Sequence, residues 1–185
     1  MIKLSKIMEY IDIYNSDGKP LGIKKSREEA HNKGLWHKGV HIWIINSKGE
    51  ILIQKRSPNV ANHPNKWDIS AAGHISAGED DIAAAIKETK EEIGLSLSSE
   101  DFKHIGTVRK MSSREGYVNN EINPVYIVRM DLDPSKIKKQ KEEVSEVKFV
   151  SHKELQGLIG INDQSFVPHP EEYNLLFRFL EENKI

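Results

Sequence analysis

The chain has no cysteine among its 185 residues. That excludes disulfides, a thiolate nucleophile and a cysteine-ligated zinc site, and it suits a reducing compartment. Long hydrophobic runs are also missing. The longest, such as Ile42–Ile45, fall far short of the ~20 apolar residues needed to cross a bilayer. The N-terminal MIKLSKIMEY has no apolar core of the signal-peptide kind. The expectation is a cytoplasmic protein with no membrane partner. The net charge is only −1, so there is no overall basic field to attract nucleic acid. Linkers, internal repeats and low-complexity tracts are absent as well. What remains, 30% charged and 37% hydrophobic residues, is the composition of an ordinary soluble globular protein. The length predicts one domain over 1–185, with 1–34 as an N-terminal extension and 35–185 as the core.

Local patterns predict the elements. Tyr10–Tyr14 alternates, Asn15-Ser16-Asp17-Gly18 turns, and Pro20–Ile23 returns, giving an N-terminal hairpin. Ser26 and Glu29 form a capping-box pattern for a short helix ending before Gly34. Val40–Ile45 and Ile51–Gln54 read as paired strands around Ser47-Lys48-Gly49, followed by a Pro- and Asn-rich loop from Ser57 to Lys66. Trp67–Ala71, Phe102–Val108, Pro124–Met130 and Val144–Val150 read as strands. Ser151 with Glu154 caps another short helix, and Glu171–Glu182 is amphipathic, with Tyr173, Leu176, Phe177 and Leu180 on one face. Lys136, Lys138, Lys139 and Lys141 form a basic run. A solvated loop and an anion-binding edge are both open for it.

The densest signal is GHISAGEDDIAAAIKETKEEIGL, from Gly73 to Leu95. Ile82, Ala85, Ile86, Thr89 and Ile93 recur at helical spacing and form a mainly apolar stripe. The same helix stacks Glu88 on Glu92, with Glu91 beside them. Like charges at i,i+4 cost a helix ~0.2–0.5 kcal/mol per pair. Hard oxygen ligands gathered this way suit Mg²⁺ or Mn²⁺. The plainer alternative is a solvated helix face, with Lys87 pairing Glu91 at i,i+4. Gly73, the Gly78-Glu79 pair and a terminating Gly94 favour a loop–helix–loop metal site.

This segment resembles the Nudix box. Gly73, Glu79, Glu88, Glu91, Glu92, Gly94 and Leu95 match, whereas Lys87 stands where the family has arginine and Thr89 where it has an apolar residue. The resemblance implies an α+β fold, an α/β/α sandwich with a mixed sheet, and a metal-dependent hydrolase of diphosphates. Lysine is a point charge on a flexible stem, so Lys87 is expected to hold Glu91 less firmly than arginine would. Thr89 is expected to bond back to the Ala85 carbonyl.

Further residues resemble the branch nearest isopentenyl-diphosphate isomerases: Leu35-Trp36-His37, His41-Ile42-Trp43, Trp67 leading to Gly73-His74, and Asn119-Asn120-Glu121-Ile122-Asn123-Pro124-Val125. The isomerase cysteine position is Ala72, which cannot pass a proton. The isomerase lysine pair falls on Val60 and Ala61. In the isomerases a metal and catalytic cluster corresponds to Glu121, His74 and His37, with one ligand replaced by Asn119 and His31 one residue off the expected spacing. By this resemblance, Gly73, Glu88, Glu91 and Glu92 hold Mg²⁺ or Mn²⁺. Glu91 or Glu121 is the base, and Lys87 supports the catalytic glutamates. Arg56, at a strand end like the family's Gln-x-Arg, is open between a phosphate contact and a surface charge. Trp67 is open between core and substrate-pocket wall. The expected substrate is a nucleoside diphosphate or another small organic diphosphate. An isomerase-like enzyme and a non-catalytic nucleotide-sensing module are the alternatives. A homodimer is compatible with the sequence.

Overall fold

The computed structural model describes residues 8–185. Most of MIKLSKIMEY, read above for a signal-peptide core, lies outside the described residues.

Strand β1 (Tyr10–Tyr14) returns as β2 (Pro20–Ser26). In the turn, the Asn15 side chain accepts the amides of Asp17 and Lys19. The Ser26 hydroxyl accepts the Glu29 amide and starts α1 (Arg27–Lys33). Strands β3 (Trp36–Ile45) and β4 (Glu50–Arg56) follow, then two short strands, β5 (Trp67–Asp68) and β6 (Ala71–His74). Helix α2 (Asp81–Ile93) is capped by Asp80 and closed by Gly94 in the left-handed conformation. Next come β7 (Phe102–Arg114), β8 (Tyr117–Arg129), β9 (Val144–Ser151), α3 (His152–Gly160) and α4 (Pro170–Glu182).

The sheet is mixed. β3 runs parallel to β8 and antiparallel to β1, β4 and β6. Helix α2 packs Ala84, Ala85 and Ile93 against Val40, Ile42 and Ile44 on one face. Helices α3 and α4 pack Leu155, Leu176 and Leu180 against Trp43 and Ile45 on the other. The result is an α+β, α/β/α sandwich. Each buried aliphatic contributes ~1.5–3 kcal/mol, so β3 is anchored on both faces. A one-residue slip would exchange them. This locks His37 and His41 onto the Trp43 face.

Two departures from the sequence reading shape the site. The strand expected over Trp67–Ala71 is split. β5 pairs with β4, and β6 pairs with β3. β3 and β4 pair only near their turn and then separate. Ser70 sits between them, accepting the Ile44 amide at 2.8 Å and donating to the Leu52 carbonyl at 2.5 Å. A small hydroxyl thus satisfies backbone groups freed by the separation. The second departure is length. β7 and β8 continue to Arg114 and from Tyr117, well beyond the expected Phe102–Val108 and Pro124–Met130. Residues Arg109–Arg114 are polar apart from Met111 and largely exposed, so they carry no apolar alternation to betray a strand.

Candidate active site

A cavity of about 860 Å³ opens where β3 and β4 separate, lined from α2, β6, β7, β8 and the loop after β4. Three groups of side chains each contribute to its wall.

The first is acidic. Glu88, Glu91, Glu92 and Glu143 line the cavity beside Gly73. A Cβ at Gly73 would collide with the Glu88 carboxylate, so glycine there lets Glu88 lie against the loop. Glu92 is buried rather than solvent-facing, and its Oε2 accepts the Ala72 amide at 3.0 Å and Gln54 Nε2 at 3.1 Å. Burial pushes its carboxyl up to about 8. The Ala72 amide opposes this, while Glu143 and Glu88 add to it. Burial likewise pushes Glu88 up to about 7, against the pull of Lys87 and with the repulsion of Glu91. Glu91 is exposed at the cavity wall. Lys87 does not reach across to Glu91. Its Nζ donates to Glu79 Oε2 at 3.0 Å and lies 3.4 Å from Glu88 Oε1. Glu79 also accepts the Ser76 amide, so the glycine loop closes onto α2 through Lys87. Thr89 donates to the Ala85 carbonyl at 2.6 Å and is fully buried.

The second group is imidazole-rich. His31, His37, His74 and Glu121 bring ligand atoms within 4.8 Å of one another. His31, one residue off the family spacing, joins because α1 packs against β8 and buries it there. Its Nε2 lies 3.0 Å from Asn119 Oδ1, and its ring stacks on Tyr117. His37 donates Nδ1–H to the Leu35 carbonyl at 2.9 Å. That leaves its Nε2 lone pair aimed inward, the outer-shell arrangement that orients metal-binding histidines. Nε2 of His37 and of His74 are buried without a hydrogen-bond partner and lie 3.8 and 3.4 Å from Glu121 Oε1. Burial pushes His31 down to about 4 and also lowers His37, so both are neutral donors near pH 7. Burial alone would raise the Glu121 carboxyl, but His74, then His37 and His41, hold it well below the usual range.

The third group has no counterpart in the sequence reading. Asp68, His169, Glu172 and His41 form a buried network. His169 Nε2 lies 2.8 Å from Asp68 Oδ1, and His41 Nδ1 lies 2.6 Å from Glu172 Oε2. Trp43 Nε1 donates to the other Glu172 oxygen at 2.8 Å. Arg56 Nη1 donates to Asp68 Oδ2 at 3.1 Å, and its Nε donates to the Asn62 carbonyl. Burial would raise Asp68, yet His169 and then Arg56 lower it. Burial opposes charging His41, but Glu172 raises it.

Of the residues singled out from sequence, Gly73, Lys87, Glu88, Glu91, Glu92, Glu121 and Arg56 share this cavity. Trp67 does not line it. Its ring packs against the core and lies under the ammonium groups of Lys55 and Lys148. The lysine run from Lys136 to Lys141 also stays off the cavity; Lys136 faces Asp133 and Lys139 donates to the Ser145 carbonyl. Glu143, just beyond that run, is the residue that reaches it. Its neighbours Lys141 and Glu142 gave no local cue to tell it from solvated charge.

The NUDIX domain matches residues 13–170. Nudix hydrolase 3 of Arabidopsis thaliana is 36% identical over 182 residues, 94% of this chain; the chain spans only 23% of that relative's length. A Nudix hydrolase of Listeria monocytogenes is 34% identical over 88% of this chain and 90% of its own. The isopentenyl-diphosphate Δ-isomerase of Escherichia coli is 26% identical, over 64% of this chain and 65% of its own. Among solved structures, a Deinococcus radiodurans protein superposes with a TM-score of 0.68 at 19% identity, covering 92% of this chain and 98% of that one. The box on α2, the sandwich around it and these matches place the chain in the Nudix hydrolase family, with isopentenyl-diphosphate isomerases among its relatives.

Proposed function

We propose that the protein is a divalent-metal-dependent pyrophosphohydrolase that cleaves a nucleoside diphosphate, or another small organic diphosphate, by attack of water on phosphorus. The observation that carries this reading is the gathering of Glu88, Glu91, Glu92 and Glu143 around Gly73. Burial and the repulsion of neighbouring carboxylates make the ionised forms of Glu88 and Glu92 costly, and a hard cation beside them relieves both. Glu88, Glu91, Glu92 and the Gly73 carbonyl would hold Mg²⁺ or Mn²⁺. Such an ion supplies charge neutralisation of the diphosphate and acidifies a bound water. Lys87 is a positioning residue, tying Glu79 to Glu88. Arg56, fixed by Asp68 and Asn62, presents its guanidinium to a phosphate.

Of the two candidate bases, Glu91 is the better. It stands exposed in the cavity, whereas Glu121 is held by two imidazoles and depressed in pKa. A weaker base drives proton transfer less well. Glu121 instead fits a second cation with His31, His37 and His74, whose two orphaned Nε2 atoms point inward. Nitrogen donors of that kind suit a transition metal more than Mg²⁺.

The deciding experiment is a panel of diphosphates assayed with Mg²⁺ and with chelator, scored by phosphate or pyrophosphate release. Turnover that requires the metal is expected. Undiminished turnover by protein shown to be metal-free would overturn the reading. Nucleotide binding without turnover would favour a sensing module. No conversion of isopentenyl diphosphate to its allylic isomer is expected, because Ala72 offers no proton. Enzymatic rates of that conversion would reinstate the isomerase.

A further inference from the structure

We propose that Lys110 is a substrate-positioning residue that takes an anionic group carried by the leaving portion of the diphosphate. This rests on the hydrolase reading and narrows its substrate class to diphosphates bearing a second, distal anion. The argument starts from charge. Arg27, Arg56, Lys87, Lys110 and Arg114 line the cavity. Arg27 pairs with Glu9, Arg56 with Asp68 and Lys87 with Glu79. Lys110 and Arg114, on one face of β7, pair with no carboxylate among the described residues. Arg114 lies over the Tyr117 ring, and Lys110 meets only an imidazole.

That imidazole makes Lys110 a built feature rather than a loose surface charge. Its Nζ donates to His169 Nδ1 at 3.4 Å. His169 in turn donates Nε2–H to Asp68, which also accepts the Ile69 amide at 2.9 Å and the Arg56 guanidinium. Asp68 and His169 are 5% and 7% exposed. These contacts fix the His169 ring between Lys110 and Asp68, with Nδ1 also 3.9 Å from Glu172 Oε2. Arg56 and Lys110 are therefore aimed by the same buried pair. Asp68 acts on Lys110 only from beyond His169, and a partly buried ammonium with no carboxylate in contact gains from a bound anion.

Geometry gives the direction. Lys110 opposes Glu121 in the β7–β8 ladder and stands on the Trp43 face of the sheet, whereas α2 packs on the Ile42 face. The two walls address different ends of a ligand. The loop after β4 lines the cavity with Ala61, Asn62, His63 and Pro64 and supplies no lysine or arginine there, so β7 carries this charge.

The test compares phosphoribosyl diphosphate, which has a distal phosphate, with dimethylallyl diphosphate, which has none. Dissociation constants are measured by calorimetry with Ca²⁺ in place of Mg²⁺. Wild-type protein is expected to prefer the first by about tenfold or more, as a charge-assisted contact predicts. Lys110→Met should abolish the preference while leaving dimethylallyl diphosphate binding within about twofold. His169→Ala should weaken the preference, and His169→Gln, which can accept from Lys110 and donate to Asp68, should restore it. Failure of wild-type protein to bind the distal-phosphate ligand, equal affinity for the two, or a preference that survives Lys110→Met would each overturn the proposal. A preference lost in Lys110→Met by a protein that turns over no diphosphate with Mg²⁺ would uphold the subsite and remove the hydrolase reading alone.

Discussion

Among single residues, the carboxylates of α2 divide by environment. Glu91 is exposed and unbonded, while Glu92 is buried beneath the Ala72 amide. Glu91→Gln and Glu92→Gln should each lower kcat by about a hundredfold or more, since metal-assisted charge stabilisation supplies several kcal/mol and ~1.4 kcal/mol is tenfold. Steady-state assays at limiting Mg²⁺ check this, and wild-type kcat in both variants would return α2 to a solvated face. Stability should move the other way. The folded pKa of Glu92, about 8, lies above its ordinary 4.5, so between those values the native state binds more protons than the unfolded chain. Stability of the metal-free protein therefore falls as pH rises from about 5 to 8. Glu92→Gln keeps an acceptor for Ala72 and removes the charge. Its melting temperature in chelator should exceed wild type at pH 8 by more than at pH 5. Glu88, pushed to about 7, will keep part of the slope.

At the level of elements, α1, α2 and α3 were legible because their signals are local. Ser26, Asp80 and Ser151 each accept an amide of the first helical turn, and Gly34 and Gly94 close α1 and α2. Helix α4 was legible as an apolar stripe, but not for what its polar face does. Glu172 is 1% exposed and joins α4 to β3 through His41 and Trp43. Removing one partner of a buried charged pair leaves the other uncompensated. Glu172→Ala should thus cost about 3 kcal/mol, read as a lower denaturant midpoint with unchanged slope. The β7–β8 hairpin is the converse case. Its outer half is mostly polar and exposed on the β7 side, so no apolar alternation marks that strand, yet it delivers Lys110, and β8 beside it delivers Tyr117, Asn119 and Glu121.

For the whole molecule, the cavity depends on elements far apart in the chain. The N-terminal hairpin joins the sheet through β1 and β3, and α1 brings His31 to His37, His74 and Glu121. If that cluster holds a second cation, His37→Ala with His74→Ala should remove about one equivalent of tightly bound transition metal. Atomic emission after dialysis measures it. The variant should also lose the stabilisation that metal adds to wild-type protein, because an ion that binds only the native state raises the melting temperature.

The sequence by itself determined the loop–helix–loop around Glu88, Glu91 and Glu92, the caps, the apolar stripes and the family. These rest on contacts within a few residues, where spacing alone dictates which side chains share a face. It also exposed the Ala72 and Lys87 departures. Only the tertiary structure decided that Lys87 grips Glu79 and Glu88, that Glu92 is buried, that Trp67 turns away from the cavity and that His31 joins His37, His74 and Glu121. The structure alone paired Asp68 with His169 and His41 with Glu172, across 101 and 131 residues. Contacts at such separations leave no periodic trace, because an isolated histidine or glutamate reads the same whether solvated or buried against a partner. The chain path, set by burial on both faces of β3, makes the difference.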